Sequence, residues 1–312
     1  MKQFLNDVLT GLQSFPKYLN SKYFYDKRGD ELFQKIMASE EYYPTNCEME
    51  IFASQKEEMA RVVINQIRQM DLVEFGPGDA VKSIHLIKEL FERNALQTYF
   101  PVDISANIIE ILRKKMTVEI PGLNMRGMNG EYFEMLEKIK QESVNNKLVL
   151  FLGGNIGNFE QDQVRSFCKK LQVSLLPGDL VLIGFDLKKN PQKILNAYND
   201  AGGITSEFNL NLLTRINNEL QGDFDISAFE HYATYDPGNG ACKSYLVSLK
   251  EQNVHIGTNP IHFEKDETIF MEISQKYTLS QIDETAVGSG FESIAHFFDS
   301  EKNFVDVLWR RV

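Results

Sequence analysis

The sequence lacks the features that mark membrane, nucleic-acid-binding and disulfide-rich proteins. No run approaches the roughly 18 apolar residues that a membrane-spanning helix requires. The 44 acidic residues outnumber the 33 basic ones, and a net charge of −11 disfavours nucleic acid, because phosphates attract a basic surface. The three cysteines, Cys47, Cys168 and Cys242, are far apart, which is typical of reduced thiols in the cytoplasm. We therefore expect a cytoplasmic protein that binds neither membranes nor nucleic acid.

Metal-ligand patterns are also missing. The five histidines form no HExxH motif and no other paired spacing. What is present is ordinary for a globular protein, since 43% of the residues are hydrophobic and 25% are charged. A chain of 312 residues can bury one large core or two modest ones. We expect no metal site, and a monomer is the default expectation.

The first half of the chain alternates short apolar runs with amphipathic segments. A helix at 47–68 comes first. The predicted strands are 70–75, 98–103, 123–128, 147–153 and 179–185, and the helices between them are 80–93, 105–116, 131–141 and 160–175. KLVLFLG and DLVLIGFD are apolar throughout, as buried parallel strands are. This alternation predicts an α/β fold with a Rossmann-like parallel sheet covered by helices on both faces.

The alternation stops after Asp186. Residues 190–220 are helical in pattern, residues 228–274 alternate like strands, and a helix near 279–287 and a strand hairpin follow. We therefore expect two domains. The first comprises 47–186 and 275–312 and binds the nucleoside ligand, and the second, an α+β substrate-binding or lid domain, comprises 1–46 and 187–274.

A glycine turn follows the first predicted strand. In LVEFGPGD the apolar run ends at Glu74, and Gly76-Pro77-Gly78 comes next. Glycines let the backbone approach a ligand closely, and Asp103 at the tip of the second strand suits a ribose diol. Val81 stands where the third glycine of the dinucleotide fingerprint would be, which disfavours NAD. The pattern favours a smaller nucleoside ligand, with S-adenosylmethionine as the first candidate.

Further residues fit the same site. Gly130-Glu131-Tyr132 follows the third strand, where an acid or an aromatic ring could meet an adenine, and Gly153 opens GGNIGN after the fourth strand. Lys82, in the first turn after the glycine loop, could meet a ligand carboxylate near the helix N-terminus. Each feature also has a plain structural interpretation, such as a tight turn or an exposed lysine, but together they favour ligand binding.

Longer motifs carry a resemblance to a known family. They are, in order, SKYFYDKRGDELFQKI, EYYPTNCEMEI, VEFGPGD, VDIS, FLGGNIGNF, AYNDAGGITSEFNLN, DFDISAFEHYATY and FMEISQKY. From about residue 20 onward the sequence resembles the histidine-specific S-adenosylmethionine-dependent methyltransferases. The resemblance implies S-adenosylmethionine as methyl donor and S-adenosylhomocysteine as product. It also implies three successive transfers to the α-amino group of histidine, which give hercynine in ergothioneine biosynthesis.

The resemblance also implies which residues bind the donor. Tyr42 in EYYPT resembles the tyrosine that meets the methyl donor. The other implied donor-site residues are Gly76, Gly78, Lys82, Asp103, Glu131 and Tyr132. The family has an Asp-Phe pair where this sequence has Glu131-Tyr132, so the match near the adenine is conservative and not identical.

For the amino-acid substrate, the resemblance implies a second set. Its members are Tyr25, Phe33, Gly153, Asn158, Tyr198, Thr205, Ser244, Glu272 and Ser274. Asn158 and Tyr198 resemble the residues that hold the substrate carboxylate. Tyr25 and Phe33 resemble the catalytic aromatics near its amino group, although core packing is an equal alternative for Phe33.

Specificity for the side chain rests on the MEIS segment. Glu272 and Ser274 resemble the pair that binds the imidazole, and Thr205 adds a polar contact. Ser244 stands where the best-known family member has a methionine near the imidazole, although a shift in strand register would put Tyr245 there. Related enzymes methylate tryptophan. The alternatives are therefore methylation of another amino acid or a histidine derivative, and a non-catalytic ligand-binding relative.

Overall fold

The structure is a computed structural model and describes residues 2–312. The helices of this part are α1 Lys2–Leu12, α2 Lys27–Met37, α3 Tyr43–Gln66, α4 Ile84–Glu92, α5 Ala106–Glu119, α6 Tyr132–Glu142, α7 Gln161–Ser174, α8 Pro191–Tyr198, α9 Ile204–Leu220 and α10 Leu279–Gly288. None of the helices in residues 2–312 combines the length and the apolar character that crossing a bilayer requires.

The strands complete the inventory. They are β1 Lys17–Tyr18, β2 Met70–Phe75, β3 Leu96–Asp103, β4 Met128–Asn129, β5 Asn146–Phe151, β6 Leu180–Asp186, β7 Phe229–Asp236, β8 Ala241–Ser248, β9 Gln252–Ile256, β10 Asn259–Phe263, β11 Thr268–Gln275, β12 Phe291–Phe298 and β13 Phe304–Arg311. The chain divides into two compact units, which we call the sheet unit (Pro44–Lys188 with Lys276–Val312) and the insert unit (residues up to Tyr43 with Lys189–Gln275). That these units separate donor binding from substrate binding stays a prediction.

The sheet unit contains a seven-stranded sheet in the order β12-β13-β6-β5-β2-β3-β4. β2 to β6 pair in parallel, whereas β13 is antiparallel to both β6 and β12. β2 and β6 are buried along their whole length, and apart from Asp71, Glu74 and Asp186 their residues are apolar or glycine, as in strands covered on both faces. The predicted Rossmann-like α/β fold is confirmed, and the C-terminal hairpin extends the same sheet.

In the insert unit, a four-stranded sheet has the order β1-β11-β8-β7, and β9 and β10 form a separate hairpin. β7, β8 and β11 pair antiparallel, and the short β1 runs parallel to β11. The core of this unit joins the N-terminal segment to the insert, because Phe24, Phe208 and Leu246 belong to one buried cluster. Segments that lie far apart in sequence therefore form a single folded unit.

Two predicted elements of the sheet unit have different bounds. The strand expected at 123–128 is reduced to Met128–Asn129, preceded by an isolated bridge between Tyr99 and Met125. Gly127 interrupts the pairing where it presses on α5, since a Cβ there would lie 2.1 Å from the Ile109 side chain. The helix expected from residue 80 begins at Ile84, because Ala80 has a φ of +51°, outside the helical region.

Two predictions in the insert unit also need correction. The helical stretch 190–220 is two helices, because residues 199–203 form a turn and Gly203, with φ +71°, precedes α9 in the left-handed conformation. The last part of the strand-like region 228–274 is two strands, β10 and β11, separated by residues 264–267. Other predicted elements are present with shifted ends.

Candidate active site

The glycine turn after β2 lies against Tyr132. Gly76 and Gly78 have φ values of +61° and +55°, a conformation that favours glycine. A Cβ on Gly76 would lie 2.7 Å from the Tyr132 hydroxyl, and the Tyr132 ring stacks on Phe75 with 4.7 Å between centroids. Burial raises the pKa of Tyr132 to about 12, so its hydroxyl stays protonated. Two predicted donor-site residues, Gly76 and Tyr132, are thus in direct contact.

Asp103 lies at the end of the neighbouring strand. The Gly76 N–H donates to the Val102 carbonyl at 2.9 Å, and the Gly130 N–H donates to the Asp103 carbonyl at 3.1 Å. Asp103 Oδ1 accepts the Ser105 N–H at 2.8 Å, and burial raises the pKa of this carboxyl above its ordinary value. Glu131 follows Gly130 and precedes α6. The strand ends therefore bring the predicted ribose and adenine residues to one edge of the sheet.

Lys82 has a buried partner that the sequence interpretation missed. Its ammonium donates to the carboxylate of Glu48, a residue of α3 with no exposed surface. The same carboxylate accepts the N–H of Gly153 at 2.8 Å and 3.0 Å from its two oxygens. The EYYPTNCEMEI motif contains Glu48. A single acid in a helix does not, however, indicate which distant residues its carboxylate contacts.

Two more buried acids lie beside this pair. Burial raises the pKa of Glu74 to about 7, and its Oε2 accepts the Tyr99 hydroxyl at 2.5 Å. Burial, and then the negative charge of Glu48, raise the pKa of Asp306 well above its ordinary value. Lys82 is the positively charged group next to these acids. The charges of Glu74 and Asp306 both favour the protonated form of its ammonium.

The loop after β5 begins with two glycines in the left-handed region. Gly153 and Gly154 have φ values of +78° and +66°, and Gly157 N–H donates to the Gly154 carbonyl at 2.8 Å. A single turn of 3₁₀ helix, Asn155–Asn158, follows and leaves Asn158 exposed. Gly153 and Asn158, predicted to bind the substrate, therefore lie on the sheet unit.

In the insert unit, the predicted imidazole pair meets Ser244 across two strands. Glu272 lies opposite Ser244, and Ser274 lies opposite Cys242, in the antiparallel pairing of β11 with β8. A bulge between Phe270 and Glu272 shifts the register there. Ser244, and not Tyr245, is therefore the cross-strand neighbour of Glu272.

An aromatic cluster adjoins Tyr198 in the same unit. Tyr25 and Phe33 meet edge to face at 5.5 Å between centroids, Phe33 lies 6.5 Å from Tyr42, and Tyr42 lies 6.0 Å from Tyr198. The Tyr198 hydroxyl is 2.7 Å from Ser274 Oγ. All four predicted aromatics are thus linked with one residue of the imidazole pair. Phe208, which the sequence interpretation missed, packs against both Tyr25 and Phe33.

Thr205 lies at the beginning of α9 and is buried. Its N–H donates to Asp200 Oδ1 at 2.7 Å, and the Ile204 N–H donates to Asp200 Oδ2 at 2.8 Å. Asp200 therefore fixes the helix start in the AGGIT turn. In residues 2–312, no three His, Cys, Asp or Glu side chains are grouped so that they could hold a metal ion.

Comparison with known proteins identifies the family of this chain. The family described as histidine-specific, SAM-dependent methyltransferases matches residues 4–311, and this chain belongs to that family. It is 33% identical over 300 residues to the histidine N-alpha-methyltransferase of Mycobacterium tuberculosis, covering 96% of this chain and 92% of that enzyme. The enzyme of the same name from Mycolicibacterium smegmatis is 34% identical over 273 residues, covering 87% and 83%.

A more distant relative acts on a different amino acid. The L-tryptophan methyltransferase of Psilocybe serbica is 26% identical over 323 residues, which covers 95% of this chain and 90% of that enzyme. Relatives that match nearly the whole chain are therefore named as methyltransferases of two different amino acids, histidine and tryptophan.

Proposed function

We propose that this protein transfers methyl groups from S-adenosylmethionine to the α-amino group of L-histidine, up to the trimethylated product hercynine. Membership of the histidine-specific family carries the proposal. The polar group formed by Ser244, Glu272 and Ser274 supports the choice of histidine, because an imidazole offers polar ring nitrogens to a carboxylate and hydroxyls.

The donor fits the residues at the strand ends of the sheet unit. One Asp103 oxygen accepts the Ser105 N–H, and the other can accept the hydroxyls of a ribose. At Gly78 nothing lies within 4 Å of where a Cβ would be, so a ligand can approach the backbone of the glycine turn closely. Tyr132 and Glu131 would contact the adenine, and Lys82 would contact the carboxylate of the donor.

The aromatic cluster suits the acceptor nitrogen. Methyl transfer is an in-line displacement, in which the nitrogen lone pair forms the C–N bond while the C–S electrons stay on sulfur as S-adenosylhomocysteine. Each cycle releases one proton from the nitrogen. Tyr25, Phe33, Tyr42 and Tyr198 present ring faces and edges that tolerate the growing positive charge. Their contact survives as N–H groups are replaced by methyl groups.

The insert unit would also determine which amino-acid side chain the substrate can have. Glu272 would accept the N–H of the imidazole and so fix its tautomer, with Ser274 and Ser244 beside it. Asn158 and Tyr198 would hold the substrate carboxylate, with Gly153 and Thr205 as further contacts. The proposal includes a monomeric cytoplasmic enzyme that uses no nucleic-acid or membrane partner, and light scattering tests its monomeric state.

A second candidate is methylation of another amino acid or of a histidine derivative. It is favoured by Ser244, which departs from the methionine of the best-known family member, and by the L-tryptophan methyltransferase among the relatives. The test is mass spectrometry of the protein incubated with donor and a panel of single amino acids. Mono-, di- and trimethylated histidine are expected, whereas methylation of another amino acid favours the second candidate. Ligand binding without turnover of any amino acid contradicts both candidates.

A further inference from the structure

Glu48 occupies a position from which it contacts two separate parts of the predicted donor site. Its carboxylate, fully buried, accepts the Gly153 N–H and the Lys82 ammonium. Lys82 belongs to the turn that leads from the glycine loop into α4, and Gly153 is the second residue after β5. One side chain from α3 thus ties together the loops that follow β2 and β5, two neighbouring parallel strands.

The fit around the Glu48 carboxylate is close. It lies over Gly184 of β6, where a Cβ would come within 2.3 Å of Glu48 Oε1. Gly184 pairs with Asp306 across β6 and β13. Glycine at position 184 leaves the space for the Glu48 carboxylate, which forms an ion pair with the Lys82 ammonium.

Lys82 retains hydrogen-bonding capacity beyond this pair. An ammonium has three donors, and the Lys82 side chain keeps 20% of its surface exposed while Glu48 keeps none. Burial on its own lowers the pKa of Lys82, but the attraction of Glu48 outweighs it and raises the pKa above its ordinary value. Without Glu48, the lysine would be a desolvated cation with a strong tendency to lose its proton.

We propose that Glu48 is a positioning residue of the donor site, which keeps Lys82 charged and fixes Gly153 so that both can meet the amino-acid end of S-adenosylmethionine. This inference rests on the proposed function. Glu48 acts through Lys82 and Gly153, and it contacts no ligand itself.

The test compares two proteins, D306N and E48Q/D306N. D306N carries the isosteric asparagine and supplies the reference Kd for this comparison. It also prevents Asp306 from ionising and replacing the lost charge. Glu74 is the remaining acid that faces Lys82, and it is the same in both proteins.

Calorimetry with S-adenosylhomocysteine at pH 7 and pH 9 is the measurement. We expect the Kd of E48Q/D306N to exceed that of D306N by about tenfold at pH 7, as for a lost charged hydrogen bond. The ratio should widen at pH 9, because burial lowers the pKa of Lys82 and the double variant lacks the Glu48 charge that opposes this effect. Equal Kd values at both pH values would overturn the inference, and so would a ratio independent of pH, which indicates a purely structural role. Failure of wild-type protein to bind the ligand would instead contradict the proposed function.

A second measurement needs no change at Glu48, in case the double variant does not fold. In unmutated protein labelled with ¹⁵N-lysine, the Lys82 ammonium should exchange slowly with water and shift when S-adenosylhomocysteine is added. K82R identifies the signal by its loss. A Lys82 signal that is unaffected by a saturating ligand would overturn the inference.

Discussion

The hydroxyl of Tyr198, at the end of α8, lies 2.7 Å from Ser274 Oγ on β11. This contact joins a residue predicted to hold the substrate carboxylate to one predicted to hold the imidazole. The two ends of a bound histidine would then be held by side chains that also hold each other.

The first prediction follows from that contact. Tyr198→Phe and Ser274→Ala should each raise the histidine KM several-fold, and the double variant should raise it by less than the product of the two. The coupling is expected to be about 0.5–1 kcal/mol, because each change already removes the shared hydrogen bond. A double-mutant cycle on the histidine KM measures it. Strictly multiplicative effects would mean that the two residues act independently.

Glu272 should govern affinity for the amino acid and not for the donor. Glu272→Ala should raise the histidine KM by about tenfold or more, because a charged hydrogen bond to the imidazole is lost. The Kd of S-adenosylhomocysteine should not change. The exposed Glu230 of β7 provides the control, and Glu230→Ala should behave like wild type in steady-state kinetics. An unchanged KM in Glu272→Ala would remove this residue from the site.

Asp103 should show the opposite selectivity. Asp103→Asn can still accept the Ser105 N–H, but it lacks the charge that binds ribose hydroxyls, so the Kd of S-adenosylhomocysteine should rise about tenfold. Since burial raises the pKa of Asp103, donor affinity of the wild type should fall on acidification sooner than an ordinary aspartate would allow. Calorimetry measures both effects, with the exposed Asp162→Asn as control. Wild-type affinity in Asp103→Asn would exclude the ribose contact.

Glu74 should make stability depend on pH. Its pKa of about 7 in the folded protein is above the unfolded value of 4.5, so the folded state binds more protons between these values. Stability should therefore be highest below pH 4.5 with respect to this group and fall by about 3 kcal/mol as the pH rises to 7. Glu74→Gln should remove this component.

Urea unfolding followed by tryptophan fluorescence can measure this difference. Trp309 is the single tryptophan of the chain and is fully buried in the sheet unit, so it reports the unit that contains Glu74. The wild-type and Glu74→Gln curves of unfolding free energy against pH should diverge between pH 4.5 and pH 7. Parallel curves would show that Glu74 is ionised in the folded protein throughout this range.

The two glycines of the donor turn provide a matched pair. Both have positive φ, so alanine at either position costs about 1 kcal/mol in backbone strain. Only at Gly76 would the new methyl group also meet the Tyr132 hydroxyl, at 2.7 Å, whereas Gly78 has nothing within 4 Å. Gly76→Ala should therefore be less stable than Gly78→Ala in the Trp309 assay. Equal losses would mean that Tyr132 moves aside without cost.

The strands of the sheet were predictable because each one can be identified from its own short stretch of sequence. β2, β5 and β6 are short apolar runs between turn residues, and a strand buried on both faces needs no more than that. The glycine turn after β2 was equally visible, since few other residues adopt its backbone conformation. The role of the insert came from the family resemblance, because strand alternation in 228–274 indicates no ligand.

Features that depend on long-range contacts were not predictable. Glu272 lies opposite Ser244 because of a bulge in the pairing of β11 with β8. The residue pattern of either strand does not predict this bulge. Glu48 lies in a long helix, and its role becomes visible only when Lys82 and Gly153 are seen beside it. The short β4 begins only after Gly127, whose close contact with Ile109 of α5 is again a tertiary effect.

The place of β13 in the sheet affects how the protein is made. β6 has one neighbour, β5, until β13 pairs with its other side, yet the whole insert and β12 are translated between them. During that interval one edge of β6 in the ribosome-bound chain has unpaired N–H and C=O groups. Such an edge can pair with a strand of another chain. Nascent chains released before β12 and β13 should therefore aggregate or occupy chaperones, and any tag or fusion that delays this last pairing lengthens the exposure.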